Sequence, residues 1–223
     1  MTIHMVRELE KLKKMILALA AVVEESVQQG VQALRDGDLA LARRVVAGDE
    51  RVDTMEVELE EECLKILALH QPVATDLRFI VSVLKINNDL ERMADLATNI
   101  AERAVDLDGP SRVDPPYDVE AMAKATEKMI DMSLSALIKQ ERSIAVQAIA
   151  LDDEVDRLHA ENFAQVKKCI REQPDKMDGY IMYLSISRYI ERIADLATNI
   201  AEDVIYMIDG EIVRHVEDWD VDS

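Results

Sequence analysis

Aromatic side chains make up only 4% of this 223-residue chain, and glycine and proline number just 6 and 5. Sheets favour aromatic and β-branched residues, so their scarcity argues against a β architecture. The only two cysteines, Cys63 and Cys169, each fall within a helical pattern and make no spaced framework. That usage excludes a disulfide scaffold and suits a reduced, intracellular protein. Long hydrophobic runs are missing too, since nothing approaches the ~18 consecutive apolar residues of a membrane span. Lys13-Lys14 followed by MILALAAVV looks like a secretory signal. However, Glu8 and Glu10 occupy what should be a positive region, and Met5, Leu9, Leu12, Ile16, Leu19 and Val23 run through it at helical spacing. The expectation is a soluble, cytoplasmic protein. Positive charge is short: 26 Lys and Arg against 45 Asp and Glu leave a net charge of −19. Phosphate backbones and anionic leaflets would be repelled, which excludes nucleic-acid binding and docking by a basic patch. Cations, or partners with basic surfaces, are what such a surface attracts. Finally, the chain has no Gly-rich phosphate loop, no Cys-x-x-Cys pair, no Gly-x-Ser-x-Gly elbow and no nucleophile beside a base. The sequence thus offers no catalytic machinery of the familiar kinds.

What remains is rich in Ala, Leu, Glu, Met and Ile, with 49% hydrophobic residues. These are helix formers in quantity sufficient for a core, and the predicted class is all-α. A first helix is expected from about Ile3 to Leu34, stopped at Gly37 with Asp38 capping the next. The second runs to Leu69 and ends at Pro72; the third covers about Val73 to Leu107. Residues 108–116 read DGPSRVDPP and form the linker. Further helices are expected at about Tyr117–Lys139, Ser143–Arg171 and Pro174–Ile208. The halves are thus residues 1–107 and 117–210, with an acidic tail at 211–223. Long helices joined by short turns lie antiparallel, so the predicted architecture is two tandem three-helix bundles related by a pseudo-twofold axis.

The halves share a sentence. Residues 91–102 read ERMADLATNIAE and residues 191–202 read ERIADLATNIAE, differing only at Met93 and Ile193. At 100° per residue Glu91, Asp95 and Glu102 fall within about 40° of one another, flanked by Thr98 and Asn99, while Met93, Ala97, Ile100 and Ala104 face the other way. Glu191, Asp195, Asn199 and Glu202 repeat the pattern. A second stripe, Asp49, Asp53, Glu56 and Glu60, precedes it in the first half; Asp152, Asp156 and His159 answer in the second, where Phe163 ends the polar run. If the second and third helices pack side by side, both stripes face one groove. Carboxylate oxygens one turn apart suit magnesium, calcium and manganese, and iron where oxygens dominate.

A solvated helix face is the alternative, as for most charge runs. Against it, the stripe lacks the basic i+4 neighbours of ordinary surface pairing, and its polar residues are identical in both copies of a duplication diverged elsewhere. Arg92 and Arg192 are expected to pair across a helix interface. Arg78, after Asp76-Leu77, is suited either to such a role or to phosphate. Of the four histidines, His4 and His215 are near the termini and His70 is in an expected turn, while His159 lies mid-helix within reach of a carboxylate, as Asp156-x-x-His159.

With Asp76-Leu77-Arg78, Leu84-Lys85-Ile86 and the duplicated Glu-x-x-x-Asp at Glu91/Asp95 and Glu191/Asp195, the chain resembles the PhoU family over nearly its whole length, out to GEIVRH at 210–215. The resemblance implies two similar three-helix bundles. It also implies divalent or trivalent metal ions (iron, manganese, zinc or magnesium) at Glu91, Asp95, Glu191 and Asp195, with Asn99, Glu102, Asn199 and Glu202 in an extended pattern. Asp53 and Asp156 are added on geometry. It further implies a homodimeric negative regulator of the phosphate regulon, maintaining phosphate homeostasis between the transporter's ATPase subunit and a membrane sensor histidine kinase. The halves differ in that Met177-Asp178-Gly179 stands where Asp76-Leu77-Arg78 would recur. Two alternatives stay open: a ferritin-like dimetal carboxylate oxidoreductase and a metal-free acidic scaffold.

Overall fold

The computed structural model describes residues 3–109 and 112–213. Pro110 and Ser111 of the linker, and the acidic tail beyond Val213, lie outside the described residues. Among those described, helix is the only regular structure: α1 (Ile3–Asp36), α2 (Leu39–His70), α3 (Ala74–Asp106), α4 (Val119–Lys139), α5 (Arg142–Ile149), α6 (Asp152–Glu172) and α7 (Met177–Asp209). None of them is long and apolar enough to cross a membrane.

The helix ends follow from local chemistry. Gly37 takes a left-handed φ of 66°, and the Asp38 side chain accepts the Leu41 N–H at 2.9 Å, so one chain reversal closes α1 and opens α2. Asp118 caps α4 in the same manner through the Ala121 N–H at 3.1 Å. Gln71 and Gln140 close α2 and α4 in left-handed conformations.

The long helix expected over 143–171 is two helices. After α5 the chain passes through a tight turn, with Leu151 N–H donating to Ala148 C=O and Glu154 N–H to Leu151 C=O, both at 3.1 Å. Asp152, Asp153 and Glu154 then open α6. Three carboxylates sit better beside the free N–H groups of a new helix than inside a continuing one. The turn also sets Asp152 at the head of α6.

α1, α2 and α3 pack together, and so do α4, α6 and α7, with α5 lodged against α4 and α7. The two bundles are not separate bodies, because α3 and α7 pack on each other and one apolar core runs from Leu12 and Ile16 to Ile200 and Val204. The central pair is antiparallel: Lys85 of α3 reaches Asp203 of α7 at 3.2 Å, and Arg78 lies against Gly210. α1 comes so close to α3 that a Cβ on Gly30 would stand 2.9 Å from the Ala97 carbonyl oxygen. Ala97 and Ile100 are fully buried, as are Ala197 and Ile200. Their burial fixes which way each repeated helix turns its acidic stripe.

Candidate functional site

With its apolar side on the core, α3 presents the stripe toward α2. The Thr98 hydroxyl donates to Asp49 Oδ1 at 3.2 Å, which ties the two stripes into one groove. Asn87, almost fully buried on α3, donates its Nδ2 to the Glu56 backbone oxygen at 3.0 Å and to Glu56 Oε1 at 3.1 Å. Asp49, Asp53, Glu56, Glu91, Asp95 and Glu102 feel one another's charge here. Burial pushes Asp49 above the usual carboxylate range, the Thr98 hydrogen bond opposes this, and Asp95, Asp53 and Glu102 add to the rise. Glu91 is raised by burial, then by Asp95, Glu56 and Asp53. Glu56 is raised by burial, Glu60 and Asp53.

The second groove lies between α6 and α7, and its carboxyls are raised further. Burial, with Asp156 and Asp195, pushes Asp152 up to about 6. Burial, with Glu191 and Asp156, does the same to Asp195, also to about 6. Glu191 is raised by burial and by Asp156. Asp152 Oδ1 and Thr198 Oγ1 are both buried, and Thr198 opposes part of the rise of Asp152, as Thr98 does for Asp49.

Sequence-predicted residues therefore meet in two places: Asp53, Glu91, Asp95 and Glu102 in one groove, Asp156, Glu191 and Asp195 in the other. Asn99 and Asn199 stand half-buried one turn beyond Asp95 and Asp195. Glu202 is half-buried on the turn after that and is not among the charges that shift Asp152 and Asp195. Asp49 and Asp152 belong to the grooves as well. They head the same stripes as Asp53 and Asp156, and that was the signal for including them. Arg92 and Arg192 do not pair across a helix interface; both are exposed beside Glu91 and Glu191 and make no ion pair among the described residues. Their place on the helix, about 100° from the stripe, points them to solvent. Among the described residues no three His, Cys, Asp or Glu side chains are gathered on one point.

These features define a class: an all-helical tandem repeat whose polar residues form acidic grooves, with nothing arranged among the described residues for nucleophilic catalysis. A family model of the PhoU domain matches residues 16–104 and again 119–204. The chain belongs to the PhoU family. It is 36% identical to the phosphate-specific transport system accessory protein PhoU homolog of Aquifex aeolicus, over 94% of this chain and 95% of that one. It is similar to the crystal structure of PhoU from Pseudomonas aeruginosa, with a TM-score of 0.88 and 35% identity over 92% of this chain and 99% of that chain. It is also similar to the phosphate transport system regulatory protein PhoU from Streptococcus pneumoniae, with a TM-score of 0.83 and 28% identity over 94% and 99% of the two chains. The two tandem three-helix bundles expected from the sequence are the fold of this family. PhoU proteins are accessory, regulatory proteins and not enzymes, which removes the oxidoreductase reading.

Proposed function

We propose that this chain is a metal-responsive accessory regulator of phosphate-specific transport, restraining phosphate uptake and the phosphate regulon when phosphate is plentiful. The observation that carries it is the duplicated acidic groove on a scaffold whose relatives are named accessory proteins of that transport system. It acts by binding, with no covalent step. Its partners are the transporter's ATPase subunit and the sensor histidine kinase, met in the cytoplasm, and its working form is a homodimer.

Asp49, Asp53, Glu91 and Asp95 would hold a cation in the first groove, and Asp152, Asp156, Glu191 and Asp195 in the second, with Glu102, Glu202, Asn99 and Asn199 at the far ends. The donors are mainly carboxylate oxygens, which fits magnesium, manganese or iron; zinc accepts them too. When bound, the cation supplies a concentrated positive charge amid the carboxylates. The chain's own contribution is position: α2 with α3, and α6 with α7, keep oxygens at fixed heights along a rigid groove that a basic partner surface can cover.

The test is a phosphatase reporter in cells whose own regulator gene is replaced by each variant. Glu91→Gln/Asp95→Asn is expected to derepress the reporter in rich phosphate and to weaken capture of the ATPase subunit. Glu191→Gln/Asp195→Asn is expected to act similarly but unequally. A quadruple variant that represses as well as the unsubstituted protein at equal level would refute the grooves as the regulatory surface.

A further inference from the structure

The two grooves differ at one pair of positions, and the difference is chemical. Along α2 and α6 the residues correspond at a constant offset: Asp49 with Asp152, Val52 with Val155, Asp53 with Asp156 and Glu56 with His159. Val52 and Val155 are equally buried, and Asp49 and Asp152 each neighbour the matching stripe, which supports that register. Along α3 and α7, one hundred positions apart, Asn87 corresponds to Ser187, and both are buried. In the first half Asn87 holds the Glu56 carboxylate at 3.1 Å. In the second, Ser187 Oγ holds His159 Nδ1 at 2.9 Å. The duplication has kept the side chain that braces the groove-lining residue and exchanged both members together.

The bracing is layered. Ser187 Oγ also accepts from Asn162 Nδ2 at 3.2 Å, and its own proton points to Met122 Sδ at 3.5 Å. The imidazole tautomer that fits this network carries its proton on Nδ1 and its lone pair on Nε2. Nε2 has no partner among the described residues. Metal-ligating histidines characteristically donate the other ring N–H to an oxygen acceptor, which fixes tautomer and ring orientation. His159 is one helical turn from Asp156, whose charge it feels, and on the face that Asp152 heads. The offset network therefore leaves one nitrogen lone pair at the level where the first groove has a carboxylate.

We propose that His159 Nε2 is a metal ligand of the second groove, with Ser187 and Asn162 as its positioning residues. The chain then carries two unlike sites: an all-oxygen groove at Asp49, Asp53, Glu56, Glu91 and Asp95, suited to magnesium or manganese, and a mixed nitrogen–oxygen groove suited to zinc. This rests on the reading of the grooves as metal sites. The physical ground is ligand softness, because imidazole favours zinc and the later transition metals, while carboxylates alone favour harder cations.

The experiment titrates zinc and manganese separately into metal-stripped full-length protein by calorimetry. The second groove is isolated on a Glu91→Gln/Asp95→Asn background. There, His159→Gln is expected to lower zinc affinity about tenfold or more, and manganese affinity much less. Ser187→Ala is expected to lower zinc affinity by about 10- to 100-fold, the usual effect of losing an outer-shell partner. The exchange His159→Glu/Ser187→Asn should give this groove the manganese preference of the first. The reciprocal Glu56→His/Asn87→Ser, tested with Glu191→Gln/Asp195→Asn, should give the first groove a zinc preference. Circular dichroism checks that each variant stays helical, and the reciprocal pair answers the question even where His159 variants fold poorly. Zinc binding that His159→Gln leaves within twofold, but that Glu191→Gln/Asp195→Asn abolishes, would overturn His159 as ligand and leave the metal reading standing. An unsubstituted chain that binds neither ion would overturn both.

Discussion

The two halves carry the same twelve-residue phrase, yet their grooves are not equally strained. In the first, Thr98 reaches Asp49 and Asn87 reaches Glu56, so hydrogen bonds offset part of the charge. In the second, Asp152 and Asp195 are both held up at about 6, although Thr198 opposes part of the rise at Asp152. Identical sequence on α3 and α7 therefore does not make identical sites; what each helix meets on its neighbour decides. The first half's neighbour is a continuous α2, whereas the second half's α6 begins at Asp152 after a chain break. The halves act as equivalent scaffolds and unlike sites.

The largest effects should test the scaffold. Ile100 and Ile200 are both fully buried at matching positions. Ile100→Ala and Ile200→Ala should each cost about 2–5 kcal/mol, and by similar amounts, measured by urea unfolding. A cost confined to one half would break the equivalence. Next comes Gly30→Ala, where the new methyl meets the Ala97 backbone and not a flexible side chain. Forcing α1 away from α3 should cost about 1–3 kcal/mol, the range for overpacking. A neutral Gly30→Ala would mean that the α1–α3 contact yields easily.

A smaller effect is expected at the seam between the halves. Lys85 reaches Asp203 at 3.2 Å and lies 5.2 Å from the centre of the Tyr206 ring, and Asp203 is 1% exposed. Lys85→Met keeps the apolar stem but removes the cation beside a buried carboxylate. It should destabilise the protein by roughly 1–3 kcal/mol, whereas Asp203→Asn on the Lys85→Met background should restore part of the loss. Equal stability of the single and double variants would show that this pair does not couple the repeats.

The smallest effect concerns acid, and it separates the grooves. Asp152 and Asp195 have folded values of about 6 against an ordinary 3.8. Between those pH values the folded chain binds more protons than the unfolded one, so protonation favours folding. Their stabilising contribution is fully present below about 3.8 and is lost as pH rises through about 6. His159, held below its ordinary value chiefly by burial, opposes this below 6.5, as a single group against several. Asp195 is exposed and solvent screens its charge, so the effect is small: metal-free protein should melt slightly higher at about pH 5.5 than at about pH 7.5. Asp152→Asn/Asp195→Asn should flatten that slope. Asp49→Asn/Glu91→Gln should flatten it less, because those carboxyls are raised less far. Equal flattening by the two pairs would erase the distinction between the grooves.

The sequence by itself determined the helices, their caps at Asp38 and the left-handed Gly37, the repeated phrase, and the side of each helix that goes inward. Those are local properties: propensity, the handedness of a turn, and the angle between neighbours on one helix are all set within a few residues. The stripe at Glu91 and Asp95, and its echo at Glu191 and Asp195, were legible for that reason. Periodicity names the buried face of a helix but not the helix that will cover it. Thr98 meeting Asp49, Lys85 meeting Asp203, and Ser187 bracing His159 join residues on different helices, chosen only when the core closes. The same holds for the break before Asp152, where a cluster of carboxylates and the packing of α5 outweighed good helix propensity, and for Arg92 and Arg192, which stay in solvent beside the stripes of their own helices and do not bridge to another helix. Tertiary structure decided which carboxylates share a groove, and hence how much repulsion each groove stores. Coulomb energy depends on separation in space and on burial, neither of which spacing along the chain supplies.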